Sequence, residues 1–180
     1  YSTFAMGQFD IIPTLLVVTG IFFAFKNKKW LAVAMLGIGG AYKMFPLLFL
    51  PIFVLLLDKG FWRRVWLFTV GLLPYLLIIV PYFLFSPMYR QMAFLANQAE
   101  KMLYMKLPLS GSEYLSVFMV TYFILLILAA KSKLQKDSLW RFGLVLMLLF
   151  FAVTHYHPQW FLWIAPFLVW DWLTYGKKHL

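Results

Sequence analysis

Ala41-Tyr42-Lys43-Met44-Phe45-Pro46 sets one lysine inside an apolar run that covers residues 30–57. An ammonium at bilayer depth costs roughly 3 kcal/mol or more and is kept for a partner or a task. Pro46 cannot continue a helix without losing a backbone hydrogen bond, and it biases Phe45 away from the helical region. The run is therefore expected to break over residues 43–46. Two short helices, residues 30–44 and 46–57, would then meet at a charged elbow. A single helix over the whole run would measure about 42 Å at 1.5 Å per residue, against a hydrocarbon core of about 30 Å. Gly37, Gly39 and Gly40 let the first of the two helices approach a neighbour closely.

The rest of the chain has the same character. Hydrophobic residues make up 64% of it and charged residues 12%. Apolar residues in that excess, arranged in long runs, point to membrane spans and away from a soluble domain. The chain has no cysteine, which excludes disulfides and cysteine-based metal or redox sites. A net charge of +10 would suggest nucleic acid as a partner in a soluble protein. Here Lys and Arg fall in short clusters between apolar runs, as orientation signals do, so no nucleic-acid partner is expected. The chain opens on Tyr1 without a signal pattern. It reads as a single transmembrane domain over residues 1–180, the C-terminal part of a longer polytopic protein.

The expected fold is all-α, a polytopic transmembrane bundle. Spans are expected over residues 9–25, 64–85, 114–130, 142–154 and 161–175, in addition to the elbow hairpin. Asp10 can cap the first, with Pro13 in its first turn. Pro74 and Pro81 are expected to kink the third long run. Residues 86–113 form the longest connection. In it Met88, Met92, Leu95, Ala99 and Met102 recur at helical spacing, which predicts an interfacial amphipathic helix over residues 88–103. Pro108, Ser110 and Gly111 mark a loop after it. The total is about seven passes, two of them short.

Charge counting sets the topology. With a hairpin at residues 30–57, twelve Lys and Arg share one side, and Lys43, Arg90, Lys101 and Lys106 are the four on the other. A single crossing would give nine against six, with Lys43 buried. The positive-inside rule favours the hairpin. Gln8, Asp10, Lys43 and residues 155–160 then gather at the non-cytoplasmic face, which is where a site is expected.

Each candidate has a plain alternative. Gly7-Gln8-Phe9-Asp10 reads either as a turn and helix cap or as part of the site. Lys43, flanked by Tyr42, either snorkels to the interface or meets an anionic group such as a phosphate. His155 and His157, two apart, face different directions on a helix and make a poor metal pair, so no metal or other cofactor is expected. Pro158 is expected to start the last helix, leaving both histidines in the turn before it. There a histidine can donate to a phosphate or sugar oxygen, or stay solvated. Gln159 and Trp160 follow; Trp160 is either an interface-belt residue or a platform for the apolar face of a sugar. No phosphate-binding glycine loop, zinc protease motif, dinucleotide fingerprint or nucleophile elbow is present.

Three stretches together resemble a known family. Gly-Gln-x-Asp opens a span at residues 7–13, and a glycine-rich helix ends in Lys-x-x-Pro with Leu-Leu-x-Leu-Pro following, over residues 43–51. Pro-Gln-aromatic-x-x-Trp-x-x-Pro occupies residues 158–166. In this order they are similar to membrane glycosyltransferases of the GT-C superfamily, closest to the polyprenyl-phosphate-mannose-dependent mannosyltransferase type. Residues 64–154 match only in hydropathy. The resemblance implies inverting transfer of a hexose such as mannose from a polyprenyl-phosphate donor to a lipid or glycan acceptor. The transfer would occur at the outer face of a bacterial or archaeal plasma membrane. It also implies a catalytic aspartate in an outer loop upstream of this chain, so that role is not assigned to Asp10. Lys43 suits stabilisation of the departing phosphate, with Arg90, His155 or His157 as helpers, while Gln8, Asp10, Tyr42, Gln159 and Trp160 are expected to line the substrate site.

Two other classes compete. A lipid-linked-sugar transporter or flippase would show internal pseudo-symmetry and polar residues along a path across the bilayer, and the sequence shows neither. A non-catalytic assembly subunit would leave the elbow lysine idle. The topology has a direct test, because the chain carries no cysteine of its own. A cysteine placed at Ser132 should resist an impermeant thiol reagent added to intact cells. Labelling from outside would overturn the hairpin arrangement.

Overall fold

The computed structural model describes residues 9–91, 104–132 and 138–176. Helix α1 covers Ile11–Phe25, α2 Lys29–Tyr42 and α3 Phe45–Leu57. The break in the 30–57 run is present, and it falls at Lys43, whose backbone is extended at φ −157° and ψ 136°. Phe45 is not pushed out of the helix as expected. It begins α3, and Pro46 sits in the first turn, where its missing N–H would have had no partner anyway.

Between α1 and α2 the chain reverses over three residues, 26–28. Asn27 adopts a left-handed φ of 62°. Its N–H donates to Ala24 O at 3.0 Å, and that of Lys28 donates to Phe23 O at 2.9 Å. These two bonds are the Schellman pattern that closes a helix C-terminus. With two such reversals, α1, α2 and α3 run up, down and up. Their ends are pinned by two ion pairs. Lys43 meets Asp10 at one end, and Lys29 meets Asp58 at 3.0 Å at the other.

The Asp58 end is the basic end. Arg64 donates from Nε to Asp58 O at 2.7 Å and from Nη2 to Leu55 O at 3.1 Å, so it satisfies carbonyls where α3 stops. Burial raises the Asp58 carboxyl. The hydrogen bond from Lys29, the N–H groups of Gly60 and Lys59 and the charge of Lys29 outweigh it and hold the group below its ordinary value. A lowered folded-state pKa means this corner stabilises the fold above the unfolded value and loses that contribution as pH falls through the lowered one.

Helix α4, Phe61–Phe85, runs unbroken through Pro74 and Pro81. Among the described residues it is the one helix both long and apolar enough to cross a membrane. The shorter apolar helices are α1, α3, α6 (Val117–Lys131) and α7 (Leu139–Val153). The seven expected passes therefore reduce, by length, to one clear span and several shorter apolar helices. A short helix α5, Pro87–Tyr89, follows α4. The expected surface helix falls mainly on residues 92–103, outside the described residues.

Lys106–Ser110 (β1) and Glu113–Ser116 (β2) form an antiparallel hairpin where a loop was expected. Gly111 turns it at φ 56°, and a register shift between Pro108 and Ser110 absorbs the proline. A two-stranded ribbon has only edges, so a proline costs it little. Ser116 then caps α6 by accepting from Met119 N. The last described elements are a 3-10 helix, Pro158–Trp163, and α8, Ala165–Tyr175.

The core lies among α1, α2, α3, α6 and α7, with Phe49, Phe53, Phe118, Leu36 and Leu146 fully enclosed. Tyr122 of α6 reaches α3 and donates to Leu48 O at 2.8 Å, on the turn that Pro51 loosens. The closest helix approach is α2 on α4. A Cβ on Gly37 would lie 2.0 Å from Gly71 O, a backbone atom that cannot step aside. Gly37→Ala should therefore cost about 2–3 kcal/mol as the two helices are forced apart. Thermal unfolding of the purified variant in detergent measures it. A melting temperature equal to that of the parent protein would show that the contact is not tight.

Candidate functional site

Asp10 stands at the N-terminus of α1, and Lys43 at the break between α2 and α3. The up-down course of α1 and α2 returns the chain to its starting level and brings the two together across 33 residues. Asp10 was expected to cap α1. It holds the N-cap position, but its carboxylate makes no capping bond. Both of its observed donors converge on Oδ1: the Lys43 ammonium, and the indole N–H of Trp163 at 3.2 Å, 153 residues away in sequence. Oδ2 is buried and has no hydrogen-bond partner among the described residues.

The pair is asymmetric. The Asp10 side chain is 5% exposed and that of Lys43 35%. Asp10 is sealed into the fold, while the Lys43 side chain is partly exposed. Breaking such a pair by deleting the cation strands a buried anion, which costs several kcal/mol, roughly 3–5 for a fully buried pair. Deleting the anion leaves an ammonium that water can reach.

An aromatic floor supports the lysine. Its ammonium lies 5.2 Å from the centre of the Trp163 ring and 5.6 Å from that of Trp160. The two indoles stack at 4.7 Å and 12°. The 3-10 helix produces this directly, because three residues per turn place side chains i and i+3 above one another. Phe45, from the elbow itself, stacks on Trp163 at 4.1 Å and 9°. Phe150 of α7 meets both indoles and fixes the column against the core.

The other sequence candidates are placed as follows. Tyr42 is exposed at the end of α2, and Gln159 is half-buried in the 3-10 helix. Trp160 belongs to the column. His155 is exposed, its ring 5.4 Å from that of Tyr104, and His157 is exposed where the 3-10 helix begins. Among the described residues neither histidine hydrogen-bonds Lys43 or Asp10. Arg90 turns back on α4 and donates to Phe83 O at 2.7 Å and Leu84 O at 3.1 Å, so the fold uses it as a helix-end group. Gln8 lies outside the described residues. The structure thus brings together Asp10, Lys43 and Trp160, and adds Trp163, which is not among the candidates drawn from the sequence. Its signal was the three-residue spacing from Trp160 directly after Pro158. Among the described residues no group of three or more His, Asp or Glu side chains is placed to hold a metal.

Chemically, the arrangement is a cation with three N–H donors, one of them held by Asp10, above an apolar aromatic column. It can receive an anion whose substituents are apolar or carbohydrate. Among family models, the one described as glycosyltransferase family 87 matches residues 1–159. No curated protein and no solved structure matches the chain.

Proposed function

The chain belongs to glycosyltransferase family 87, and from that premise we propose that it moves a hexose, such as mannose, from a polyprenyl-phosphate donor to a lipid or glycan acceptor. The observation that carries this reading is Lys43: a partly exposed lysine whose ammonium is seated on two indoles, at the end of the bundle opposite the basic cluster. Positive charges that orient a protein collect on the cytoplasmic side. Lys29, Arg64 and their neighbours accordingly face the cytoplasm, and the Lys43 end faces away from it. A lysine there is out of place as an orientation signal and in place as a phosphate ligand.

The transfer asks for two things from the protein. An acceptor hydroxyl must lose its proton to a base, and the departing phosphate must be stabilised as charge builds on it. Lys43 supplies the second. Its charge strengthens the interaction as the sugar–phosphate bond breaks, which lowers the barrier more than it tightens the ground state. Trp160 offers a sugar an apolar face, and His155 and His157, at the same end, are within the reach of loop side chains that orient sugar hydroxyls. Backside attack at the anomeric carbon inverts its configuration. The base is assigned to an aspartate outside this chain. Only 11% of the most apolar stretch of α4 is buried within the fold, and on this reading lipid covers its exposed apolar surface.

The test compares Lys43→Met/Asp10→Asn with the parent protein. The double substitution leaves no buried anion unpaired, so the fold should persist. Transfer from the polyprenyl-phosphate sugar should fall by about a hundredfold or more, on the scale of removing one charged transition-state contact. Lys43→Arg should retain part of it, since the charge remains and the shape differs. Normal turnover with normal donor affinity in the double variant would show that Lys43 only reaches for the interface.

A further inference from the structure

The reading above gives Lys43 a phosphate and leaves Asp10 without a task beyond pairing. Resting on that reading, we propose that Asp10 is a specificity-determining residue: it discriminates against the phosphomonoester product and in favour of the phosphodiester donor, and so drives product release.

The argument begins with charge. The donor phosphate is esterified on both sides and carries one negative charge. In transfer the bond between the anomeric carbon and the phosphate oxygen breaks, and its electron pair stays on that oxygen. The anomeric carbon bonds to the acceptor oxygen, whose proton passes to the general base. The phosphate is left as a monoester, with a charge of about −1.5 to −2 near neutral pH. A lone lysine in apolar surroundings would hold this product more tightly than the donor, and turnover would stall on release.

Asp10 opposes that outcome. It does not depend on Lys43 alone for its place, because Trp163 N–H also holds Oδ1 and the N-terminus of α1 favours negative charge. With the carboxylate sealed in and the lysine side chain partly exposed, an arriving phosphate meets Lys43 from the exposed side while Asp10 remains behind it. The ammonium is then shared between two anions. Both donors to Asp10 converge on Oδ1, and Oδ2 has no partner among the described residues, so the charge of the carboxylate is incompletely offset. Each further negative charge on the phosphate is repelled by it across roughly 6 Å, enough to change a binding constant by about tenfold at an intermediate dielectric. The monoester suffers this more than the diester.

Farnesyl phosphate and its methyl diester serve as probes of the two charge states. Their affinities for the protein in nanodiscs, at pH 8 and low salt, are measured calorimetrically for the parent, Asp10→Asn and Lys43→Met/Asp10→Asn. Asp10→Asn should bind both probes more tightly, with the gain for farnesyl phosphate exceeding that for the methyl diester by up to about tenfold. In turnover it should show stronger inhibition by polyprenyl phosphate and a lower kcat without a higher KM. Unchanged or weaker binding of both probes would overturn the proposal and leave Asp10 as a residue that positions Lys43. If the double variant binds farnesyl phosphate as tightly as Asp10→Asn does, the phosphate role of Lys43 itself is wrong. Should Asp10→Asn not fold, the parent protein still decides. A preference for farnesyl phosphate over the methyl diester of about tenfold or more would overturn the proposal, and equal or reversed affinities would support it.

Discussion

A buried carboxylate paired with a partly exposed lysine is the interaction on which this structure depends. Asp10 and Lys43 come from different helices, and Trp163 comes from the far end of the chain. Each of the three is placed by a separate local device. The Schellman turn at Asn27 returns α2 to the level of Asp10. Extended backbone at Lys43, followed by Pro46 in the first turn of α3, holds the elbow open. The 3-10 helix after Pro158 stacks Trp163 on Trp160. None of these devices is costly alone. Their coincidence at one point gives an otherwise apolar bundle a charged, outward-facing position.

The opposite end of the fold shows what a purely structural pair looks like. Asp58 accepts from Lys29 and from two backbone N–H groups, and Arg64 closes the carbonyls beside it. Every strong acceptor there is matched within the chain. At the Asp10 end one carboxylate oxygen is left over among the described residues, and the Lys43 side chain is 35% exposed. An incompletely satisfied charged group in an apolar setting is what a binding site for a charged substrate requires, and a stabilising corner does not need it. That contrast, joined to membership of glycosyltransferase family 87, is the physical basis for the proposal that a donor phosphate meets Lys43.

Much of this was legible in the sequence where a single residue type forces the outcome. A lysine within an apolar run, three residues before a proline, required a break, and the break is at that lysine. Closely spaced glycines implied close helix contact, and Gly37 makes it. The elements that escaped are those set by context. Phe45 begins a helix despite the proline after it, because Pro46 falls in the first turn, where its missing N–H costs no helical hydrogen bond. The ribbon at Lys106–Ser110 and Glu113–Ser116 has almost every side chain exposed, so no hydrophobic face announced it, and Pro108 argued against a strand. Asp10 carries the signature of a cap, and only the fold reveals that Lys43 and Trp163 take its carboxylate instead. Trp163 was hidden among other tryptophans, since its stacking depends on a 3-10 turn that an α-helical reading does not provide.

The most direct measurement is a structure of the protein with a polyprenyl phosphonate sugar, a donor analogue whose sugar cannot leave. The account places a phosphonate oxygen about 3 Å from the Lys43 ammonium, within hydrogen-bonding reach, with Asp10 still on the ammonium's buried side. A phosphonate bound at the basic end near Lys29 and Arg64, with Lys43 and Asp10 untouched, would contradict it.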